Sequence, residues 1–352
     1  MPKPDLRTGL HIRALRSLAL CISLVIAAST VFAGQAGAQS ETDGSETYDI
    51  YMILWRGETE VEAGFRAYIE ERDLPFNLII RSADRDIERV FDFIDEIDQL
   101  QPDLVYTWGT PVTLAVAGRQ AEVEADLHVT DIPIVFTIVS YPLASGLLDQ
   151  DTFSGRNLTG VSHVVPLDTQ IQAMQAFMPI DRIATIFSPN EQNAVLTVDA
   201  LKRAGSEQGF RVFAIPVPLG EDGRGDASRI PEVIAEAASL DPQFLYLPPD
   251  TFLGANREAF TEEANRAGLA TFASTEVMIR DSNALYALVS PYEAVGRLTG
   301  RKIEQILIEG IDPGTIPVET LQRFSYQLKM DVAHQLGIYP AMSLLSYVEI
   351  LD

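Results

Sequence analysis

The sequence is poor in cysteine and histidine, with one cysteine and four histidines among 352 residues. Cys21 lies in an apolar N-terminal segment, so the rest of the chain has no thiol with which to form a disulfide or attack a substrate. Beyond that segment His128, His163 and His334 are far apart, and no zinc-ligand spacing or Gly-x-Ser-x-Gly motif occurs. These absences give little support to catalysis, and we expect a protein that is not an enzyme and uses no cofactor or metal.

Basic residues are also scarce, because 26 lysines and arginines stand against 50 aspartates and glutamates, for a formal net charge of −24. Nucleic-acid binding needs a basic footprint, so this balance argues against a nucleic-acid partner. The acidic excess favours solubility and says little about the fold. Beyond the N-terminal segment, no apolar run in the sequence is long enough to span a bilayer.

Residues 1–38 have the pattern of a secretory signal peptide. Four basic residues between Lys3 and Arg16 precede an apolar stretch over residues 18–34, and small residues at 36–38 form a cleavage site. One alternative is an uncleaved membrane anchor, for which the apolar core is short and contains hydroxyl residues. Another is a lipoprotein built on Cys21, but apolar residues continue well past it. We therefore predict export to the periplasm.

Two stretches, residues 58–111 and 190–250, share one pattern of apolar and polar segments. In each, an amphipathic segment precedes an apolar run, a second amphipathic segment follows, and a turn at Pro102 or Pro242 leads into another apolar run. Helices that alternate with strands in this way form βαβ units, which build doubly wound parallel sheets. The runs are apolar nearly throughout, as in strands covered on both faces. The pattern predicts an α/β protein with two similar halves.

One helix start is specified in detail by the segment Ser188-Pro189-Asn190-Glu191. Serine is a favoured N-cap, proline is tolerated in the first turn, and a glutamate three residues after the cap completes a capping box. The segment therefore predicts a helix that is capped by Ser188 and ends at Gly209.

Residues 131–147 and 155–162 resemble the signature of the periplasmic substrate-binding proteins of the ABC-transporter family that includes tryptophan- and tyrosine-binding members. Looser matches occur at residues 109–111, 188–193 and 247–250, and the resemblance covers roughly residues 48–338. It implies a type I periplasmic-binding-protein fold, with two doubly wound parallel-sheet lobes joined by a hinge of three crossovers.

The resemblance also implies a division of the chain. Lobe 1 is expected to comprise residues 46–163 plus 290–318, and lobe 2 residues 164–289 plus 319–352, with crossovers near residues 162–166, 289–291 and 317–321. The chain departs from the family at Tyr141-Pro142, where Asp-Pro is usual, and at residues 274–276, where a Gly-Asp-Glu-like turn is usual. Residues 339–352 match no part of the family pattern. These departures affect the identity of the ligand more than the fold.

The candidate site follows from the position of residues just after each predicted strand, because open α/β sheets bind ligands at the carboxyl ends of their strands. These residues are aromatic, rich in hydroxyl groups and sparsely charged, which suits a small amphipathic ligand such as an α-amino acid. The predicted ligand-binding residues are Trp55, Gly109, Thr110, Ser140, Tyr141, Ser188, Asn190, Asn193, Asp250, Phe252, Glu276 and Tyr292.

An amino acid needs two opposite poles in such a site. Backbone N–H groups at the helix starts near residues 109–110 and 188–190 are predicted to bind its carboxylate. Asp250, Glu276 or an aromatic face is predicted to bind its ammonium group. An aromatic or branched side chain is predicted to stack among four aromatic residues of the site. These four are Trp55, Tyr141, Phe252 and Tyr292.

Each of these roles has a plainer alternative. Ser188 and Asp250 can serve as helix caps, and Glu276 can be a solvated loop charge. His163, at the first predicted crossover, can form a pair across the hinge. For Arg56, an ion pair with surface acids is favoured over a bond to a ligand carboxylate, because acids are in excess.

The sequence thus predicts an exported, monomeric solute-binding protein of an ABC importer. It captures a small amino-acid-like ligand between two lobes and delivers it to an ABC permease in the inner membrane. Aromatic amino acids are among the candidate ligands. The alternative is a periplasmic sensing module that signals to a membrane kinase or cyclase, and no sequence feature separates the two.

Overall fold

The computed structural model describes residues 47–150 and 152–351, so the predicted signal peptide lies outside the described residues. The first sheet has the order β2-β1-β3-β4-β5, and every neighbouring pair is parallel. Its strands are β1 (Tyr48–Leu54), β2 (Phe76–Ser82), β3 (Leu104–Trp108), β4 (Ile134–Val139) and β5 (Leu158–Ser162).

The second sheet has the order β12-β11-β10-β9-β8-β6-β7, and only the β10–β11 pair is antiparallel. Its strands are β6 (Arg182–Phe187), β7 (Arg211–Pro216), β8 (Phe244–Leu247), β9 (Thr271–Ala273), β10 (Tyr286–Val289), β11 (Ser325–Lys329) and β12 (Val348–Leu351). Each sheet has a buried apolar cluster on both faces, as expected for strands that are apolar throughout. The two α/β halves predicted from the sequence are confirmed.

Helices cover both sheets. They are α1 (Glu60–Arg72), α2 (Ile87–Leu100), α3 (Thr110–Ala117), α4 (Leu167–Phe177), α5 (Gln192–Gln208), α6 (Ile230–Ser239), α7 (Thr251–Ala255), α8 (Arg257–Arg266), α9 (Val277–Arg280), α10 (Tyr292–Leu307), α11 (Met330–Leu336) and α12 (Met342–Leu345). Within the described part of the chain, none of them is both long and apolar enough to cross a membrane.

The chain passes between the two sheets three times. It leaves the first sheet after β5, returns through α10 after β10, and leaves again between residues 316 and 325 to form β11. Helix α10 packs so closely on α1 that a Cβ at Gly296 would lie 1.8 Å from the Val61 carbonyl oxygen, and one at Gly64 would lie 2.1 Å from the Glu293 carbonyl oxygen. These contacts place α10 on the first sheet although β10 belongs to the second.

The C-terminal residues extend the second sheet. Strand β12 pairs in parallel with β11 at the sheet edge, with Tyr326 opposite Val348. The Glu349 carboxylate accepts hydrogen bonds from Gln327 Nε2 (2.9 Å) and Ser325 Oγ (3.0 Å), and from Arg280 Nη2 (2.8 Å). This segment is therefore held by its backbone and by one acidic side chain.

The predicted capping box at Ser188 is wrong. Helix α5 begins after Glu191, and no side chain caps it. The Ser188 hydroxyl donates instead to Asp250 Oδ1 (3.0 Å). The Glu191 carboxylate accepts from the backbone nitrogens of Thr251 (2.8 Å) and Phe252 (3.1 Å), at the start of α7. Both side chains thus stabilise a neighbouring loop, because partners about 60 residues away compete with the local cap.

A bulge near the end of β4 shapes the edge of the first sheet. The pairing of β4 with β5 shifts between Thr137 and Val139, and Ile138 has a φ of 55°, which a β-branched residue rarely adopts. Such strain persists only where the surrounding structure enforces it, and it is concentrated at functional sites. Here the bulge directly precedes Ser140, at the end of the strand.

Candidate functional site

A cavity of about 60 Å³ lies between the two lobes, and we call it the polar cavity. Its walls combine residues that follow β1, β3, β4 and β5 of the first sheet with residues that follow β8 and β9 of the second. They are Trp55, Arg56, Trp108, Gly109, Thr110, Pro111, Ile138, Ser140, His163, Asn193, Pro249, Asp250, Thr251, Thr275, Val277 and Tyr292. The carboxyl ends of both sets of parallel strands therefore face one site, as the fold requires.

A second cavity of about 520 Å³ adjoins the first, and we call it the outer cavity. It shares Trp55, Thr110, Pro111, Asn193 and Thr251 with the polar cavity. Its other wall residues are Arg85, Ile87, Leu114, Asn190, Glu191, Gln192, Arg224, Gly225, Phe252 and Ala255. The lobes also touch directly, because Arg119 Nη2 donates to Gln192 Oε1 at 2.8 Å.

The structure brings most of the predicted residues together. Those that line the polar cavity are Trp55, Gly109, Thr110, Ser140, Asn193, Asp250 and Tyr292. Asn190 and Phe252 line the outer cavity. Tyr141, Ser188 and Glu276 line neither cavity.

Asp250 lies at the centre of a hydrogen-bond network in the second lobe. Its Oδ2 accepts from the Ser188 backbone nitrogen (2.7 Å), and its Oδ1 accepts from the Ser188 hydroxyl (3.0 Å) and the Leu253 nitrogen (2.9 Å). It also caps α7, as the plainer alternative predicted. Burial raises the pKa of this carboxyl group. Ser188 therefore orients Asp250 at the cavity wall and is itself set back from the cavity.

Glu276 joins the two lobes at the second passage of the chain. Its Oε2 accepts from the Tyr292 backbone nitrogen (2.5 Å), at the start of α10, and its Oε1 accepts from Arg280 Nε (2.6 Å). The side chain is buried, so it is not the solvated loop charge of the plainer alternative. Glu276 does not line the polar cavity, which leaves Asp250 as the acid at its wall.

Tyr141 follows β4 but lies away from both cavities, beside Pro142 and Ser162. Its hydroxyl is buried near the Thr197 side chain of α5. Burial raises the pKa of this phenol. The predicted cluster of four aromatic residues thus lacks Tyr141 at both cavities, because the chain turns after Ser140.

Trp108 and Arg56 occupy the part of the wall that sequence reasoning underestimated. The Arg56 guanidinium lies over the Trp108 ring, 4.9 Å from the ring centroid, an arrangement in which an aromatic face attracts a cation. In the described part of the chain Arg56 forms no ion pair, so the predicted pairing with surface acids is wrong. Trp108, the last residue of β3, is not among the predicted site residues, although that position borders the ligand edge of the sheet.

Three ring nitrogens in the wall residues are buried and unpartnered among the residues that the structure describes. They are Nε1 of Trp55, Nε1 of Trp108 and Nδ1 of His163. Burial, assisted by the Arg56 charge, lowers the pKa of His163 to about 3, so its ring is neutral at physiological pH. Buried polar groups almost always have partners, and exceptions need an explanation. Three exceptions around one cavity indicate a place where a ligand supplies hydrogen-bond partners.

The start of α3 contributes backbone polarity to the same wall. Gly109 precedes the helix with a φ of 90°, and no side chain caps the helix. The Thr110 hydroxyl accepts weakly from the Ser140 nitrogen (3.4 Å), which links the ends of β3 and β4. An uncapped helix N-terminus favours an anion, although Pro111 removes one of the donors.

Comparison with known proteins identifies the family of this chain. The family model for ABC transporter substrate binding proteins matches residues 61–349. The chain belongs to this family. The fold and the family that the sequence resemblance predicted are therefore confirmed.

A tyrosine-binding protein of Clostridioides difficile (strain R20291) is one relative of this substrate-binding protein. The two are 26% identical over 238 residues, and the match covers 67% of this chain and 63% of the relative's length.

Solved structures share the fold at lower identity. The ABC domain in complex with L-Trp from Streptococcus pneumonia is 19% identical, with a TM-score of 0.73 over 87% of this chain and all of that one. The ligand-free, open structure of a substrate binding protein with adhesive properties from Clostridium difficile is 21% identical, with a TM-score of 0.66 over 87% of this chain and 99% of that one. At these identities the likeness establishes the fold alone.

Proposed function

We propose that this substrate-binding protein is exported and holds an α-amino acid with an aromatic side chain between its lobes for delivery to an ABC permease. The observation that carries the proposal is the set of buried, unpartnered ring nitrogens around the polar cavity, together with the Arg56 cation. Arg56 and the buried ring nitrogens of Trp55, Trp108 and His163 surround one cavity. Such a set suits a ligand that carries a carboxylate and a flat ring.

The carboxylate is assigned to Arg56 and the start of α3. A guanidinium forms charge-assisted bonds to carboxylates, and its position over the Trp108 ring limits its movement. Gly109 and Thr110 lie in the same wall, where the helix N-terminus adds favourable polarity. The first lobe thus provides the positive end of the site.

The ammonium group is assigned to Asp250, across the cavity in the second lobe. The Asp250 oxygens already accept three hydrogen bonds, which fix the carboxylate but leave lone pairs free. Opposite charges on opposite lobes mean that an amino acid satisfies both only when the lobes are close together. Closure would thereby depend on ligand binding, and a permease would recognise the closed form.

The relatives support the ligand class. One curated relative is described as a tyrosine-binding protein, and one structural neighbour was solved with L-Trp. The unpartnered indole nitrogens and the half-buried Trp55 ring suit a ligand of this kind in the present chain.

Ligand binding can be tested by native mass spectrometry of freshly purified protein, followed by thermal-shift and calorimetric titration with L-tryptophan, L-tyrosine and L-phenylalanine. A ligand at a hundredfold excess over its Kd adds about 2.7 kcal/mol to the free energy of unfolding, which is readily detected. Arg56→Gln should weaken binding roughly 10- to 100-fold, since a hydrogen bond to a charged group contributes about 1.5–3 kcal/mol.

The matched control is Arg203→Gln, which removes the same charge from an exposed residue of α5 that also forms no ion pair among the described residues. It should bind like the wild type. Equal affinities of the Arg56→Gln variant and the wild type would contradict the assignment of the carboxylate. Absence of binding by every amino acid would contradict the ligand class itself.

A further inference from the structure

The outer cavity has a different character from the polar cavity. Most of its exposed surface is apolar and is contributed by residues such as Ile87, Leu114, Phe252 and Ala255, although polar side chains also line it. At about 520 Å³ it is much larger than the polar cavity, at about 60 Å³. A ligand confined to the polar cavity would leave this apolar space unfilled. A ligand whose apolar body extends past Trp55 into the outer cavity would bury both its own apolar surface and that of the cavity wall.

Two exposed arginines, Arg85 and Arg224, also line this cavity. Neither has an ion pair in the described ranges, in a protein whose formal net charge is −24. Arg85 is held by its backbone, with a φ of 63° and a hydrogen bond from its nitrogen to the Trp55 carbonyl oxygen (2.8 Å). Burial lowers the pKa of Arg85, and the nearby charges of Arg56 and Arg257 lower it further. Positive charges therefore converge on this side of the cleft.

The acids near these arginines form no ion pair with them among the described residues. Asp84 pairs with Arg89, although its charge also acts on Arg85. Asp222 accepts from the Arg224 backbone nitrogen (3.0 Å) and forms no salt bridge with its guanidinium. Glu191 also lines the outer cavity, but its oxygens accept from the start of α7, and burial together with Asp250 raises its pKa. A carboxyl group that retains its proton near neutral pH does little to neutralise Arg85 or Arg224.

We propose that the natural ligand extends from the polar cavity into the outer cavity, and that it carries there a second carboxylate at the end of an apolar or aromatic body. Arg85 and Arg224 bind this distal carboxylate. The inference rests on the proposed function, because it takes the amino-acid head group to lie in the polar cavity beside Arg56 and Asp250. It adds the substrate class: an amino acid with an extended, acidic side chain.

Matched ligands test this inference on the full-length mature protein after removal of bound ligand. Isothermal titration compares 4-carboxy-L-phenylalanine with its neutral isostere 4-carbamoyl-L-phenylalanine, and both with L-phenylalanine. The wild type should bind the carboxylate at least tenfold more tightly than the carboxamide. Arg85→Gln and Arg224→Gln should each reduce that ratio at least threefold, whereas Arg203→Gln should preserve it because its side chain is outside the cleft.

The outcomes separate this inference from the proposed function. Equal affinity of the wild type for carboxylate and carboxamide overturns the distal site, as does a preference that persists in both arginine variants. Binding of L-phenylalanine, L-tyrosine or L-tryptophan without binding of either extended derivative also overturns it, and leaves the proposed function intact. If no amino acid of any kind binds, the proposed function fails and the inference fails with it.

Discussion

His163 gives the ligand-free protein a dependence on pH that can be calculated from its surroundings. The ring is buried beside the cleft, and its Nδ1 has no partner in the described part of the chain. It is nearly perpendicular to the Tyr292 ring, with 6.1 Å between the two ring centroids. Desolvation and the Arg56 charge lower its pKa to about 3. The native state thus keeps His163 neutral at pH values where an unfolded histidine is protonated.

The sign and size of the effect follow from linkage. The pKa of His163 is lower in the folded state than the unfolded value of about 6.5. Its contribution to the free energy of unfolding is therefore complete above pH 6.5 and is lost as pH falls towards about 3. Between pH 7 and pH 5 only the unfolded chain gains a proton at this position. The resulting loss in the free energy of unfolding is about 2 kcal/mol.

The assay is urea denaturation of ligand-free wild type and of His163→Phe at pH 7 and pH 5. Phenylalanine retains the ring contact with Tyr292 and removes the titrating group. The wild type should lose about 2 kcal/mol more than the variant over this interval. Glu191, whose raised pKa acts in the opposite direction, is present in both proteins and cancels in the difference.

His334→Gln, which replaces an exposed histidine outside both cavities, serves as the control for the loss of a histidine. If His163→Phe and the wild type lose the same free energy between pH 7 and pH 5, His163 is not a buried neutral group and the description of the cleft wall is incorrect.

Two other substitutions test packing and the orientation of a site residue. Gly296→Ala should destabilise the protein by about 3 kcal/mol in denaturant titration, because the new methyl would lie 1.8 Å from the Val61 carbonyl oxygen; Gly254→Ala, with no contact closer than 3.5 Å, should change stability little. Ser188→Ala should weaken amino-acid binding about fivefold in calorimetric titration, because Asp250 loses a hydrogen bond worth about 1 kcal/mol. A loss of stability at Ser188→Ala without any loss of affinity would show that Asp250 does not contact the ligand.

The alternation of apolar runs and amphipathic segments was sufficient to predict the two-sheet architecture. Strands such as β3 and β8 are completely buried, so their sequences carry an unbroken apolar signal. The helix that returns to the first sheet, α10, was predictable only through the family resemblance. Its contact with α1 depends on Gly64 and Gly296, and a glycine does not indicate from sequence which backbone will approach it.

The helix start at Glu191 shows why local motifs fail near a site. Four consecutive residues fit a capping box, and the local energetics of that motif are favourable. In the folded protein Ser188 instead contacts Asp250, and Glu191 contacts the start of α7. The second sheet brings these partners alongside. Partners distant in sequence cannot be inferred from a short pattern, so the predicted roles of Ser188 and Glu191 were wrong even though both lie close to the cleft.

Satisfied and unsatisfied polar groups lie on opposite sides of the cleft. The acids near the cleft, Asp250 and Glu276, accept several hydrogen bonds each from the protein, so their positions are fixed before any ligand arrives. The indole nitrogens of Trp55 and Trp108 instead have no acceptor among the described residues, and the Arg56 guanidinium lies over the Trp108 ring without an ion pair in the same part of the chain. A cleft with fixed acceptors on one lobe and free donors on the other favours a ligand that brings more negative charge than positive. Arg85 and Arg224, which form no ion pair among the described residues, add further positive charge in the outer cavity.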